Sequence, residues 1–425
     1  MAKLYKFDSG LTLLYEANSI NKSTSVEIAF DCGSRCDGKL AGLSHFCEHM
    51  FFTGTDQLTR QEVSKQYFDF IKTNAFTSNT EIVFTGSIIT SRFGEYLQTV
   101  RNMICDSTFT DKAVEDEKKV VIQEIVQDTD KHSRHADRWR RYELYQLEHF
   151  KYGVLGSAET VSQITSKDVK NYVKKYFVKN NCIISICTPL SFGKVKRIVK
   201  RYFEKQMPSN NLKPLPYSRN KLIDEENVKL NHQEIDKNFL SVVFKSKQKG
   251  GDLKYRALIA TIGNMIDDIS DGLTKELRLD NSLIYSMDAY YTINKVNSAM
   301  ELYTEISSEN IKPCLDVIID YINNIVKNGF TEKQFSKELE KNEYYWQTNV
   351  QTPDSIRSNL TTQRFYGKFI SSKDIYEAVK SLTLEEVNKA MRDLFTKSKV
   401  QVLVYGNANK QDVYTIKQIQ KKFNI

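Results

Sequence analysis

Apolar positions in this chain switch between a period of two and a period of 3.6 in an order that occurs twice. Ile164-Thr165-Ser166-Lys167-Asp168-Val169 predicts a helix start, with Thr165 at the N-cap and Asp168 three residues on in the capping-box position. That helix runs to Tyr176-Phe177, a strand-like Cys182-Ile183-Ile184-Ser185-Ile186 follows, and Val195, Ile198, Val199 and Tyr202 then recur at helical spacing. Half a chain later Leu382-Thr383-Leu384-Glu385-Glu386-Val387 repeats the cap and Leu394-Phe395 the helix end. Val400-Gln401-Val402-Leu403-Val404 repeats the strand, and Val413, Ile416 and Ile419 the final helix. The starts also correspond, Ser25-Val26-Glu27-Ile28-Ala29-Phe30 with Ser241-Val242-Val243-Phe244, each leading through a Gly-containing turn to a helix. A half-length repeat means one fold used twice. Between the copies, Met207 to Pro216 carries three of the six prolines and no period, which reads as a stiff, extended linker. The expectation is an α+β chain of two homologous α/β sandwich halves, each an antiparallel-rich sheet covered by helices, at 1–206 and 225–425 with 207–224 as linker.

The length of 425 residues independently argues for more than one domain. With 40% hydrophobic and 27% charged residues, and only 17 Gly and 6 Pro, the composition is that of a globular protein, not a disordered or fibrous one. No stretch approaches the ~20 consecutive apolar residues of a membrane span. Met1 to Asp8 carries neither the apolar segment of a signal peptide nor the Arg/Ser-rich pattern of an organelle presequence, so the expected location is the cytoplasm. Seven Cys are scattered without a CxxC pair and predict free thiols. The net charge of +8 is interleaved along the chain instead of blocked, which predicts a solvated Lys-rich surface and no nucleic-acid partner.

The chemistry is concentrated in Gly42-Leu43-Ser44-His45-Phe46-Cys47-Glu48-His49-Met50-Phe51-Phe52, which contains His-x-x-Glu-His, the inverted zinc-peptidase motif. Imidazoles at i and i+4 lie on one helical face and can grip one metal, with Glu48 on the same side. With 6 His in the chain, the pattern is expected by chance only about 0.005 times. The bland alternative is a helix with two exposed histidines, but the flanking Leu43, Phe46, Met50 and Phe51 describe a mostly buried helix, where unpaired imidazoles are costly. A catalytic zinc needs a third protein ligand and an open position for water. The candidate comes from the helix Ala113 to Ile125, where Glu117 and Glu124 are nearly eclipsed on one face. Glu124 lies in its more apolar part, where a carboxylate is expensive unless it meets a charge or a metal; the alternative is a surface-exposed glutamate. Lys131, His132, Arg134, His135, Arg138, Arg140 and Arg141 read as a solvated basic helix instead of a second metal site.

These residues together resemble the pitrilysin-type inverted-motif zinc peptidases, in the branch of short two-domain chains that includes mitochondrial processing peptidase and its bacterial relatives. The resemblance covers nearly the whole chain. It begins at Cys32-Gly33-Ser34-Arg35 and passes through the motif, Asn74-Ala75-Phe76-Thr77-Ser78 and the Glu117 to Glu124 pair. His149-Phe150-Lys151-Tyr152-Gly153 and the duplicated ends of the halves complete it. It implies one Zn2+ per chain bound by His45, His49 and Glu124, with Glu48 activating water and Glu117 as an acid supporting the site. Asn74, Ala75 and Phe76 are implied on an edge strand where a substrate backbone adds as a further strand. Arg278 and Tyr285 match the pair with which that family's C-terminal half reaches the scissile carbonyl. Two departures stand out: Phe70 and Ile71 occupy a glycine pair common before the edge strand, and Ser282 a glycine usual before the Tyr. The second half has no metal motif, since Thr261, Asn264 and Met265 fall opposite His45, Glu48 and His49.

The expected function is a zinc metalloendopeptidase whose halves close like a clamshell on short or unfolded peptides, acting as a monomer, a homodimer or with a hetero-partner of the same family. The alternative is a non-catalytic peptide-binding subunit of a paired peptidase complex, against which the intact Glu48 argues.

Overall fold

A computed structural model describes residues 3–18, 22–70, 72–128, 130–213, 221–248, 252–293, 297–349, 370 and 372–423. Part of the linker, 214–220, and Ile71 therefore lie outside the described residues. The described residues fall into two compact units, the first within 1–142, 147–215 and 347–372 and the second within 143–146, 216–346 and 373–425. Glu143 and Leu144 join the second unit through the Lys229–Glu143 ion pair at 2.5 Å and the bond from Ile223 N to Leu144 O at 2.9 Å.

The first unit contains strands β1 (Lys3–Lys6), β2 (Thr12–Ala17), β3 (Ser23–Phe30), β4 (Lys72–Thr77), β5 (Ile82–Ile89) and β6 (Cys182–Thr188), ordered β1-β2-β6-β3-β5-β4. Every pairing is antiparallel except β2 with β6. Period-two alternation puts Val26, Ile28 and Phe30 of β3, Ile184 and Ile186 of β6, and Ile82 and Phe84 of β5 into one core. Helices α1 (Leu43–Met50), α2 (Arg60–Phe68), α3 (Phe93–Asp106), α4 (Asp111–Asp128), α5 (His132–Tyr145) and α6 (Ser166–Tyr176) belong to this unit, apart from the last turn of α5. Phe51 anchors the packing, with its ring 4.7 Å from Phe177 and 5.7 Å from Phe84. Burying each such ring is worth about 1.5–3 kcal/mol.

The second unit contains β7 (Asn227–His232), β8 (Asn238–Ser246), β9 (Met287–Ile293), β10 (Ser298–Ile306) and β11 (Lys399–Gly406), ordered β7-β11-β8-β10-β9, with only β7 and β11 parallel. Its main helices are α7 (Leu253–Ile266), α8 (Ile311–Asn328), α9 (Glu332–Asn349, apart from its last three residues) and α10 (Leu384–Lys397). The order repeats that of β2-β6-β3-β5-β4, so each unit has a mixed, antiparallel-rich sheet with helices and its own core. Both capping boxes form: Thr165 with Asp168 opens α6, and Thr383 with Glu386 opens α10. Ser25 pairs with Cys187, whereas Ser241 pairs with Leu403. Both strand positions are thus offset by 216 residues, two fewer than the 218 between the caps Thr165 and Thr383, a shift that leaves every side chain on its face. β4 and β9 are the corresponding edges of the two sheets. Among the described residues no helix is long and apolar enough to cross a membrane.

Candidate functional site

Helix α1 follows a turn that only glycine fits. Gly42 has φ of +92°, and a Cβ there would lie 2.4 Å from Leu155 O. The free N–H groups at the helix start are met from outside it: Asp37 Oδ2 accepts from Gly42 N and Oδ1 from Ser44 N, both at 2.8 Å. Leu43, Phe46, Cys47 and Met50 join the core. Helical spacing sets His45 and His49 beside each other, with ring centroids 4.6 Å apart.

Helix α4 supplies the facing carboxylates. His49 Nδ1–H donates to Glu117 Oε1 at 2.9 Å, and Arg60 Nη1 donates to Glu117 Oε2 at 2.6 Å. This holds the imidazole with Nε2 turned to Glu124 Oε2, 3.5 Å away; His45 Nε2 is 3.8 Å from the same oxygen. Burial disfavours the charged form of both rings and lowers the pKa of His45, where His49 adds to the effect. At His49 the Glu117 and Glu124 carboxylates outweigh burial and raise it. Glu117, although almost wholly buried, is held low by His49 and Arg60, and Glu124 is held low chiefly by His49. Acids that favour an imidazolium favour a bound cation on the same grounds.

These residues fit a zinc ion on two observations. Ligand atoms of a tetrahedral Zn2+ site stand about 3.3 Å apart. The three available here, one each from His45, His49 and Glu124, all lie within 4.8 Å of one another, the one such group of His, Cys, Asp or Glu among the described residues. The second is that, among the described residues, His45 Nδ1 is buried without a hydrogen-bond partner, while its Nε2 lies 3.8 Å from Glu124 Oε2. A buried ring so poorly satisfied is costly unless Nε2 binds something.

Glu48 turns into the same cavity, which has a volume of about 800 Å³ and is also lined by His45, His49, Glu124 and residues 74–77 of β4. Burial raises the Glu48 pKa, opposed by the Thr77 hydroxyl, which donates to Oε2 at 2.5 Å, and by His49. Tyr67 of α2 pins the edge strand by donating to Asn74 O at 2.8 Å. Along β4, Asn74 and Phe76 are exposed and Ala75 and Thr77 half-buried. At the glycine-pair position Phe70 is buried against Tyr96 at 5.4 Å, with the Arg92 guanidinium 4.3 Å from its ring.

In the second unit Arg278 lies 4.7 Å from the ring centroid of Tyr285, whose side chain is 80% exposed. Ser282 between them has φ of +54°, the left-handed conformation that explains why glycine suits this position. Thr261 and Met265 are buried in α7, and Asn264 Nδ2 donates to Glu338 Oε1 at 2.7 Å.

Three residues were not singled out from sequence: Arg60 and Thr77 brace Glu117 and Glu48 through contacts remote in the chain, and Asp37 caps the start of α1 across a short turn. The basic run forms helix α5, in which Arg134 is exposed and Arg138 and Arg141 are half-buried, all three lining the cavity.

Residues 12–157 match the family described as Insulinase (Peptidase family M16), and residues 163–342 match Peptidase M16 inactive domain. A Bacillus subtilis protein named "uncharacterized zinc protease YmxG" is 23% identical over 96% of this chain and 99% of its own. An Arabidopsis thaliana protein named "probable mitochondrial-processing peptidase subunit beta" is 27% identical over 46% of this chain and 38% of its own. The fold matches the crystal structure of a peptidase M16 inactive domain from Pseudomonas fluorescens with a TM-score of 0.82 at 15% identity, covering 96% of this chain and 98% of that one.

Proposed function

Because the chain belongs to the two-domain peptidase M16 family, we propose that it is a zinc endopeptidase acting on short or unfolded peptides. His45, His49 and Glu124 hold one zinc ion in this reading, and Glu48 is the general base. The observation that carries it is the convergence of three ligand atoms within 4.8 Å beside a buried carboxylate and an edge strand in one cavity. When bound, zinc supplies a Lewis acid that acidifies water and polarises a carbonyl.

The remaining work falls to the chain. A peptide in extended form adds to β4 beside Asn74, Ala75 and Phe76 and brings its carbonyl against α1. Glu48, with its pKa raised by burial, takes a proton from the attacking water and passes it to the leaving amine. Thr77 holds the carboxylate in one rotamer through its hydroxyl. Glu117 keeps His49 in the tautomer that leaves Nε2 free. Arg278 and Tyr285 are assigned as donors to the carbonyl oxygen as it gains charge. The match to a processing-peptidase beta subunit supports a partner of the same family, as homodimer or heterodimer.

Incubation with an unbiased peptide mixture, with and without chelator, tests the reading by mass spectrometry of cut sites. Chelator-sensitive cleavage restored by zinc is expected; peptide binding without turnover, indifferent to chelator, favours a non-catalytic binding subunit instead.

A further inference from the structure

Resting on the endopeptidase reading, we propose that the cavity selects peptides with an acidic side chain, which Arg138 binds beside the cleavage site. The wall contributed by α5 carries three guanidinium groups, of Arg134, Arg138 and Arg141. Two of them have carboxylate partners. Arg134 Nη1 donates to the buried Asp128 at 2.7 Å, and Arg141 Nε donates at 2.8 Å to Asp137, which Arg140 shares.

Arg138 differs in having only neutral partners among the described residues. Its Nη2 donates to His135 Nδ1 at 2.7 Å and its Nη1 points to Tyr152 O at 3.5 Å. His135 is itself oriented, since its Nε2 lies 3.2 Å from Asp128 O. With Nε2–H donating to that carbonyl, Nδ1 is the ring nitrogen left to accept from Arg138 Nη2, which also lies 3.2 Å from Nε2. Close packing holds the stem as well: a Cβ on Gly153 would lie 2.5 Å from Arg138 Cδ, so the glycine leaves the space that the arginine fills. The result is a half-buried, pre-positioned cation with its charge uncompensated, in the cavity that also holds Glu48 and β4. A carboxylate of an extended peptide completes it through charge-assisted hydrogen bonds, whereas a lysine there meets repulsion.

The test uses the zinc-loaded full chain and a set of neutral decapeptides, acetylated and amidated at their ends, in which one Glu or one Gln is moved through each position. At one position or more, kcat/KM for Glu is expected to exceed that for Gln about tenfold or more. In R138Q that ratio falls to about one, in R138E a Lys peptide overtakes the Glu peptide, and R138K keeps part of the preference. The same peptides binding to E48Q, read by fluorescence anisotropy, report the preference without turnover. Cleavage with no Glu preference, or with one that survives in R138Q, overturns this proposal and leaves the endopeptidase intact. An Arg138-dependent preference in binding, with no cleavage by the wild type, upholds Arg138 as the contact for an acidic side chain but overturns the endopeptidase and with it the cleavage site.

Discussion

The two units share one five-strand order and make opposite use of a corresponding helix pair. In each, an 18-residue helix carries a buried glutamate at its seventh position, Glu117 in α4 and Glu338 in α9. Glu117 faces the imidazole of His49 and the guanidinium of Arg60 and is held low. Glu338 faces the amide of Asn264, and burial pushes it up. Seven residues further on, Glu124 has its counterpart in Tyr345, which is exposed. A helix-to-helix polar contact therefore survives in the second unit, while Thr261, Met265 and Tyr345, opposite His45, His49 and Glu124, offer neither imidazole nor carboxylate. A fold can keep its packing with either pair; only the first pair creates a site where a dication is favoured.

The largest expected effect separates chemistry from metal binding within the first unit. Glu48→Gln removes the base but no ligand, so peptide cleavage should fall by about 10²–10⁴ while bound zinc stays near one per chain. Next comes the glutamate pair. Glu117→Gln frees His49 and Arg60, and zinc affinity should drop about 10–100-fold in a competition titration. Glu338→Gln should leave zinc affinity untouched and thermal stability almost unchanged, because an amide oxygen still accepts from Asn264. Equal effects of the two substitutions would erase the distinction between the units.

Two further effects concern stability. Asp37→Ala strips the acceptor of two backbone N–H groups at the start of α1, a loss of about 1–3 kcal/mol in urea unfolding. In the second unit, burial works against ionising Asp268, but Lys337, Lys341 and Ser270 outweigh it and hold its pKa well below 3.8. Its folded pKa is the lower one, so the stabilisation is full above the unfolded value near 3.8 and fades as pH falls below it. Asp268→Asn should flatten that acid-range slope. The smallest effect belongs to Ser282→Gly, which relieves the left-handed backbone and should raise stability by up to about 1 kcal/mol.

Much of this was legible in sequence because it is local. A capping box spans four residues, as at Thr165 and Asp168, and i, i+4 spacing alone sets His45 beside His49. Glu124 could be picked out because a seven-residue step keeps it on the face of Glu117. What escaped depends on contacts that spacing does not encode: Arg60 on Glu117 and Thr77 on Glu48 between distant segments, and Asp37 folding back on the start of α1. Arg138 was hidden for another reason. In a run with Arg134, Arg140 and Arg141 its charge looks ordinary, and only the pairing of the others with Asp128 and Asp137 makes it distinct.

The most direct test of the division of labour is the zinc content of dialysed protein, measured by inductively coupled plasma mass spectrometry on the wild type, His49→Ala and Asn264→Ala. One zinc per chain is expected for the wild type and Asn264→Ala, and none for His49→Ala. Zinc that persists in His49→Ala, or that is lost from Asn264→Ala with the fold intact, contradicts a metal site confined to the first unit.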